Sequence, residues 1–443
     1  MTFVASHTTA QRQSTTDEAE VLRAGRKLVS DLLTPRPWIY WTDLLLSLTL
    51  GYGAAALYLA APLFSITQFA AFAVAGLALY RASVFMHEIV HFRKGEMRAF
   101  TIVWNVLAGI PMLVPSFLYE SHLAHHNTRH CGTRNDGEYL PLGLGSFRHL
   151  LGFLGQILLL PAFVVFRFGV LVPISFVHPR LRRWVLEHAS SFVINFRHRR
   201  EIRPHDPLGW WAALDIACFL RVAAMLALVA VGLTDWTRLP KLYAIAMFTL
   251  GLNHLRTLVA HRYLSDGRPI SHAGQLHDSV NIEGIPLLTE LLCPLSLRYH
   301  ALHHLFPSVP YHHLATAHRR LMEGLPADSP YHAVTFPGFT AAVCDLLKNI
   351  RRAMRQPELP ACRWYRGTAE RKPAEHRRPY SQRRRADLSS DRRPSNSDAA
   401  RLRRDRHDPV SDSPATTSHD TPPQEDRDRR RRGRDPRTGS VPS

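Results

Sequence analysis

Cysteine is scarce in this sequence, and its distribution shows no pairing pattern. The 443 residues include 5 cysteines against 26 histidines, and no two cysteines form a CxxC motif. The five are Cys131, Cys218, Cys293, Cys344 and Cys362. Structural disulfides and zinc knuckles need paired or closely spaced cysteines. The sequence therefore predicts neither a disulfide-bonded fold nor a thiolate metal site.

The two ends of the chain have few apolar residues. Residues 1–36 contain no apolar central stretch of the kind that a secretory signal peptide carries, so we expect a cytoplasmic N-terminal segment there. Residues 371–443 hold 20 Lys and Arg against 12 Asp and Glu, with almost no aliphatic residues. Such a composition cannot form a core, so we expect residues 364–443 to be a disordered Arg-rich tail. Basic tails also suit nucleic acid, but we expect no nucleic-acid partner.

Long apolar runs fill the intervening residues 37–363, which we expect to form a membrane domain. A hydrocarbon core about 30 Å thick is crossed by roughly 20 helical residues. Runs 39–64 and 65–86 predict one transmembrane hairpin, and runs 210–233 and 242–260 predict a second. The predicted fold is therefore an all-α integral membrane protein with about four transmembrane helices, interfacial or re-entrant helices and a cytoplasmic helical cap.

Two further apolar runs, 100–119 and 150–177, contain prolines, so the sequence leaves open whether they cross the bilayer. Charge predicts the orientation of the others. The connections within the two predicted hairpins carry only Arg238 and Lys241 as basic residues, whereas the opposite side is rich in arginine. By the positive-inside rule that side is cytoplasmic, and every histidine cluster lies on it.

Three histidine motifs recur with related spacing. They are HEIVH at residues 87–91, HLAHH at 122–126 and HALHH at 300–304. Residues three and four apart share one face of a helix, so each motif can direct its imidazoles into one volume. Eight imidazoles are too many for one ion and predict two. Neutral nitrogen ligands suit iron, zinc, copper or nickel, and because zinc usually takes only four ligands, a dense all-imidazole site favours paired iron.

The first two motifs also constrain the chain between them. Only 30 residues separate His91 from His122, which is enough for one crossing of the membrane and its turns but not for two. Both motifs must lie on the same membrane face if they share a site. We therefore expect run 100–119 to return to its own side, as an interfacial or re-entrant segment.

The order HxxxH, HxxHH, HxxHH around two hairpins resembles the membrane fatty acid desaturases. The resemblance covers roughly residues 38–325 and includes "GTRNDGEYLPL", "SSFVINFRHRR", "NHLRTLVAHRY" and "HHLFPSVPYHHL". It implies a non-haem di-iron centre with two Fe²⁺ ions. Such a centre uses O2 and two electrons to remove two hydrogens from an acyl chain, which introduces a double bond.

The resemblance also implies a ninth ligand, a histidine at the cytoplasmic end of the fourth span. His261 fits that place better than His254, which sits deeper. Some relatives have an asparagine four residues before this histidine, where this sequence has Thr257. The implied metal ligands are His87, His91, His122, His125, His126, His261, His300, His303 and His304. Nearby acids are expected to hydrogen-bond these ligands: Glu88, Asp136 and Glu138.

Substrate and partners follow from the same resemblance. The implied substrate is an acyl lipid or acyl thioester reached through the membrane lipid, oxidised with O2. No haem-binding HPGG segment occurs, so the resemblance implies a separate ferredoxin-like electron donor and its reductase. Two alternatives remain. The first is a hydroxylase or ketolase of the same histidine-box superfamily acting on carotenoids or alkanes, and the second is a metal transporter.

Overall fold

The structure is a computed structural model that describes residues 21–355. The predicted C-terminal tail and most of the predicted N-terminal segment lie outside the described residues. Residues 21–29 are helical. The elements that follow are α1 (Pro37–Ala60), α2 (Ile66–His91), α3 (Arg98–Trp104), α4 (His122–His125), α5 (Phe147–Phe166), α6 (Val172–Ser175), α7 (Pro179–His188), α8 (Leu208–Ala230), α9 (Arg238–Leu258), α10 (His272–Asp278), β1 (Asn281–Ile282), α11 (Pro286–Leu292), α12 (His300–Leu305), α13 (Tyr311–Gly324), α14 (Pro330–Ala333), β2 (Thr335–Phe336) and α15 (Phe339–Arg355). The predicted all-α fold is confirmed.

Four helical stretches are long and apolar enough to cross a membrane. They are α1, α2, the stretch Phe147–Ser175 and α8. Their outer faces carry exposed leucines, among them Leu46 and Leu57 on α1 and Leu151 and Leu159 on α5. Apolar surface of this extent does not face water in a stable protein. The prediction of about four transmembrane helices is confirmed.

The second predicted hairpin differs from the structure. The fourth predicted span forms α9, which is less apolar than the candidate spans, whereas the run that the sequence left open forms Phe147–Ser175. α9 packs against α2 and α5, and α8 packs against Arg167–Leu171 and α6 instead of along α9. The stretch Phe147–Ser175 has the highest mean hydropathy of the four candidate spans, which explains why it joins them, whereas small residues and polar contacts decide which helices pack together.

The first hairpin forms as predicted and sets the position of the first histidine motif. The Ser65 side chain caps α2 by accepting a hydrogen bond from the Gln68 amide at 3.1 Å. Gly76 lets α9 approach α2 closely, because a Cβ at this position would overlap the ring of Phe248. α2 then runs unbroken to His91.

The chain between the first two motifs turns back on itself, as expected. After α3, residues Asn105–Gly109 form one wide turn of π-helix. The Asn105 side chain then exchanges two hydrogen bonds with Ser116, each at 2.9 Å, across the loop. This clamp returns the chain to its starting side, and the rings of His91 and His122 lie 5.1 Å apart.

A small cap of short elements holds the third motif. β1 pairs in parallel with β2, with Asn281 opposite Thr335. The Asn281 side chain accepts a hydrogen bond from the Leu302 amide at 3.1 Å, and the Val280 carbonyl accepts one from Ala301 at 3.2 Å. These bonds fix α12 against the cap and direct its histidines inward.

A buried ion network lies behind the second motif. Asp215 on α8 accepts hydrogen bonds from Arg167 and from Arg182, each at 2.6 Å. The Arg167 guanidinium lies 5.6 Å from the Phe117 ring centroid, and the Phe117 carbonyl accepts a hydrogen bond from Arg200. The network therefore links two candidate spans to the residues that lead into α4.

Candidate metal centre

Four histidines from three elements form a first group. They are His87, His91, His122 and His303, and their ligand nitrogens all lie within 4.8 Å of one another. The end of α2 supplies two of them, and α4 and α12 supply one each. The His87 ring lies 4.6 Å from that of His122 and 4.4 Å from that of His303.

A second group of four lies beside the first. It consists of His125, His261, His300 and His304, again with ligand nitrogens within 4.8 Å of one another. The Nε2 atom of His261 is 3.1 Å from that of His125 and 3.0 Å from that of His300. The Nε2 atoms of His300 and His304 are 3.2 Å apart. All four imidazoles are buried.

His126 lies between the groups. Its Nε2 atom is 2.9 Å from that of His122 and 3.1 Å from that of His303. Its ring centroid is 4.3 Å from that of His304, in the second group. The structure therefore brings together all nine histidines that the sequence and the resemblance singled out. His254 lies apart from them, with its ring packed on Phe153.

Both groups fit metal ions. Two nitrogens bound to one ion at about 2.1 Å are about 3 Å apart when the bonds are at right angles, which is the spacing of the Nε2 atoms within the second group and from His126 to His122 and His303. The ligand nitrogens of the first group lie within 4.8 Å of one another. Among the described residues, both ring nitrogens of His87 and the Nε2 atom of His91 are buried without a hydrogen-bond partner. Buried polar atoms are normally paired, and an ion bound here would satisfy one nitrogen of His87 and the Nε2 atom of His91.

The outward nitrogens of several ligands contact oxygen atoms. The Nδ1 atom of His125 is 2.8 Å from an Asp136 oxygen, and that of His122 is 3.0 Å from a Glu138 oxygen. A carboxylate at Nδ1 fixes the tautomer that leaves Nε2 free to bind a metal. Glu88 does not act in this way, because its Oε1 atom is 3.9 Å from the Nδ1 atom of His87, too far for a hydrogen bond, and its Oε2 atom accepts one from Tyr40 at 2.6 Å.

Sequence reasoning missed a further set of partners on and beside α10. Asp278 lies 3.3 Å from the Nδ1 atom of His261. Gln275 lies 3.2 Å from the Nδ1 atom of His304, through its side-chain oxygen. They stand in a polar stretch without histidine-box spacing, so the sequence carries no signal that would have found them.

Burial keeps most of these imidazoles neutral. It holds the pKa values of His122, His126, His300, His303 and His304 well below the ordinary histidine value. A metal binds the neutral form, so no proton needs to be displaced.

The pKa of His125 is raised, unlike the pKa values of the imidazoles named above. Burial opposes charge on His125, but the carboxylate of Asp136 outweighs it and raises the pKa of His125. Burial also raises the pKa of Glu138 to about 7.

Cys131 lies within 4.8 Å of the nitrogen of His125 and an oxygen of Asp136, which together form a third group. A thiol binds metal as the thiolate. Burial raises the pKa of Cys131 far above the ordinary range, so the thiol stays protonated. This group therefore belongs to the surroundings of His125 and not to a further metal site.

Replacing Asp136 with asparagine should weaken metal binding about 10- to 100-fold. Asparagine keeps the shape of the side chain but removes the charge that holds the His125 imidazole at 2.8 Å. Competition with a chelator measures the affinity. Asp328→Asn, at an exposed carboxylate, is the control and should bind metal as the unaltered chain does. Equal affinities for the two variants would contradict the role of Asp136.

The comparisons with known proteins agree with this geometry. A fatty acid desaturase family model matches residues 64–335. The chain is 39% identical over 353 residues to the ceramide hydroxylase of Caulobacter vibrioides (strain NA1000 / CB15N), a match that covers 76% of this chain and 96% of that protein. No solved structure matches the chain. With two histidine groups that can each hold a metal ion, the first of them built partly from the end of an apolar candidate span, the chain belongs to the fatty acid desaturase family.

Proposed function

We propose that this protein hydroxylates a hydrocarbon chain of a ceramide-type membrane lipid, using O2 at a centre of two iron ions. The observation that carries the proposal is the pair of four-histidine groups with His126 between them. The relative named ceramide hydroxylase, which the match covers almost end to end, supports the reaction type and the lipid class.

The metal pair supplies the oxidant that an unactivated C–H bond requires, and the chain's own residues hold and shield it. The nine histidines are the proposed ligands. Asp136, Glu138 and Asp278 orient three of them through Nδ1. Burial of His125, His261 and His300 excludes water from the second group. Dry surroundings prevent side reactions of a strong oxidant.

Desaturation is the second candidate, and the family model matched by residues 64–335 favours it. Both reactions use one O2, two electrons and two protons. Hydroxylation places one oxygen atom in the C–H bond and reduces the other to water. Desaturation removes two hydrogens from neighbouring carbons and reduces both oxygen atoms to water. The prediction of fatty acid desaturation made from the sequence stays a prediction.

Topology and partners are part of the proposal. Residues 37–355, the described part of the domain predicted at 37–363, form the membrane domain, with the histidine motifs facing the cytoplasm, because the arginine-rich connections lie on that side. Electrons come from a separate ferredoxin-like protein and its reductase. A negatively charged donor would be attracted to the basic face of the molecule.

Expression in a bacterial strain lacking such an enzyme, fed a short-chain ceramide under ¹⁸O2, tests the function. We expect a product carrying one labelled oxygen, detected by mass spectrometry of extracted lipids. A product lacking two hydrogens and carrying no label would instead establish desaturation. Unchanged ceramide and unchanged acyl lipids in cells that contain the iron-loaded protein would contradict both candidates.

A further inference from the structure

Arg256 is a buried cation without an ion pair among the described residues. Arg256 is 7% exposed. Its guanidinium donates hydrogen bonds to the side-chain oxygens of Asn253 and Thr257, each at 3.3 Å. Within residues 21–355 no carboxylate forms an ion pair with it, whereas Arg167 pairs with Asp215. Glu138 acts on it electrostatically from beyond ion-pair distance. A buried cation without a direct ion pair is unfavourable, so a functional reason for this arginine is needed.

The position of Arg256 places it between the histidines and the membrane-spanning part of the fold. Arg256 lies in the last turn of α9, which ends at Leu258, and His261 follows three residues beyond that end. Its guanidinium interacts with the hydroxyls of Tyr80 and Tyr119. Tyr80 lies two turns before His87 on α2. The Tyr119 ring stacks on that of His122 at 4.9 Å. The cation therefore lies next to the candidate metal centre, on its membrane side.

An apolar surface lies beside this cation. The Tyr80 hydroxyl donates to the carbonyl of Leu292, at the end of α11, at 3.1 Å. α11 and the residue before it expose four large apolar side chains, which are Ile285, Leu287, Leu288 and Leu291. The apolar surface of α11 and the cation Arg256 together match an amphipathic lipid. Its hydrocarbon part would contact the apolar surface, and its polar end would reach inward to the cation.

We propose that Arg256 donates a hydrogen bond to an acceptor oxygen at the polar end of the lipid substrate, an amide carbonyl or a hydroxyl. A guanidinium only donates, so the group that it recognises must accept. The consequence concerns regiochemistry: the oxidised carbon lies within a few bonds of that oxygen and not in the middle of the chain. This inference rests on the proposed function and adds the recognition element to it.

A bracing role is the competing explanation. Tyr119 donates to Glu138 at 2.8 Å, and Glu138 contacts His122, so Arg256 touches a chain of groups that ends at a metal ligand. A brace would be needed for metal binding itself. A substrate contact would leave metal binding intact and change only which lipids are oxidised.

The two roles separate in a comparison of Arg256→Met with wild type on a panel of short-chain ceramides. The panel contains the parent ceramide, analogues lacking the primary or the secondary hydroxyl, and a thioamide. In wild type, removing the recognised acceptor should lower kcat/KM about 10- to 100-fold, as for a hydrogen bond to a charged group. In Arg256→Met the ratio of kcat/KM between the parent ceramide and that analogue should shrink to less than about threefold. The KM for the parent ceramide should rise, and the iron content should not change. Arg256→Lys should restore part of the ratio.

Arg238→Met is the matched control, because Arg238 is an exposed arginine at the other end of α9, and it should discriminate as wild type does. Three results would overturn the proposal: loss of iron in Arg256→Met, equal discrimination in both proteins, or a product oxidised in mid-chain. If wild type oxidised acyl lipids but no ceramide, the proposed ceramide hydroxylation would fail. Wild type and Arg256→Met would then be compared on the acyl lipid that is oxidised and on an analogue lacking its ester carbonyl, to test whether Arg256 recognises that carbonyl.

Discussion

Replacing His300 with alanine should reduce bound iron from two ions per chain to about one and lower turnover at least about a hundredfold. The Nε2 atom of His300 lies 3.0 Å from that of His261 and 3.2 Å from that of His304. Its removal leaves the second group with three imidazoles. Loss of an outer partner of a ligand already costs about 10- to 100-fold in affinity or activity, and loss of the ligand itself costs more.

His303 offers an internal comparison, because the Nε2 atom of His126 contacts the first group, at 2.9 Å from that of His122 and 3.1 Å from that of His303, whereas His126 meets the second group through its ring, 4.3 Å from that of His304. His126 lies 3.1 Å from His303 through the Nε2 atoms, so four imidazoles still surround that position in His303→Ala. We therefore expect His303→Ala to retain more iron than His300→Ala. Elemental analysis of purified protein measures the iron, and labelled product measures turnover.

His277→Ala is the control for both variants. His277 is exposed and lies on α10, the helix that also carries Gln275 and Asp278, so general damage to this helix would be visible in it. Its iron content and turnover should match wild type. Full iron and full turnover in His300→Ala would contradict the placement of the second ion.

Much of the candidate site could be predicted from the sequence, because helical spacing carries the information. Histidines three and four apart share one face of a helix, so each motif predicts a local cluster. The short connection from His91 to His122 then requires the chain to turn back, and the structure shows it doing so through the clamp of Asn105 and Ser116.

The partners of the ligands were harder to predict, since nothing periodic marks them. Glu88 follows His87 directly, yet neighbouring residues on a helix point about 100° apart, and Glu88 hydrogen-bonds Tyr40 while staying 3.9 Å from the Nδ1 atom of His87. Asp278 has no histidine-box spacing, but the antiparallel bridge between His261 and Ser279 brings it to the Nδ1 atom of His261. The partners of the ligands therefore depend more on the path of the folded chain than on proximity in sequence.

Helix pairing also escaped prediction, for a thermodynamic reason. In a bilayer, adjacent spans gain no hydrophobic free energy from contact with each other, and small residues and polar contacts decide which helices pack. Here Gly76 lets α2 accept Phe248 of α9, and the Asp215 network fixes α8 to the segment Arg167–Leu171. Neither contact follows from the lengths of the apolar runs.

Replacing Asp215 with alanine should destabilise the protein by about 3–5 kcal/mol, because it leaves the buried Arg167 and the half-buried Arg182 without their counter-charge. Asp215 is 0% exposed and binds Arg167 and Arg182 at 2.6 Å each. Thermal unfolding in detergent, with the yield of folded protein, measures the effect. Adding Arg167→Met to Asp215→Ala removes one orphaned charge and should restore part of the lost stability.

Arg183→Ala is the control for this measurement, because it removes an exposed ion pair instead of a buried one. Arg183 and Glu187 form an exposed pair one turn apart on α7 at 2.7 Å, and pairs of this kind contribute about 0.3–0.5 kcal/mol. The two variants should therefore differ about tenfold in their effect on the free energy of unfolding.

Because Arg167 packs on Phe117 ahead of α4, Asp215→Ala should also reduce iron binding at His122, whereas Arg183→Ala should not. Equal unfolding temperatures for the two variants would show that the buried network does not hold this part of the fold together.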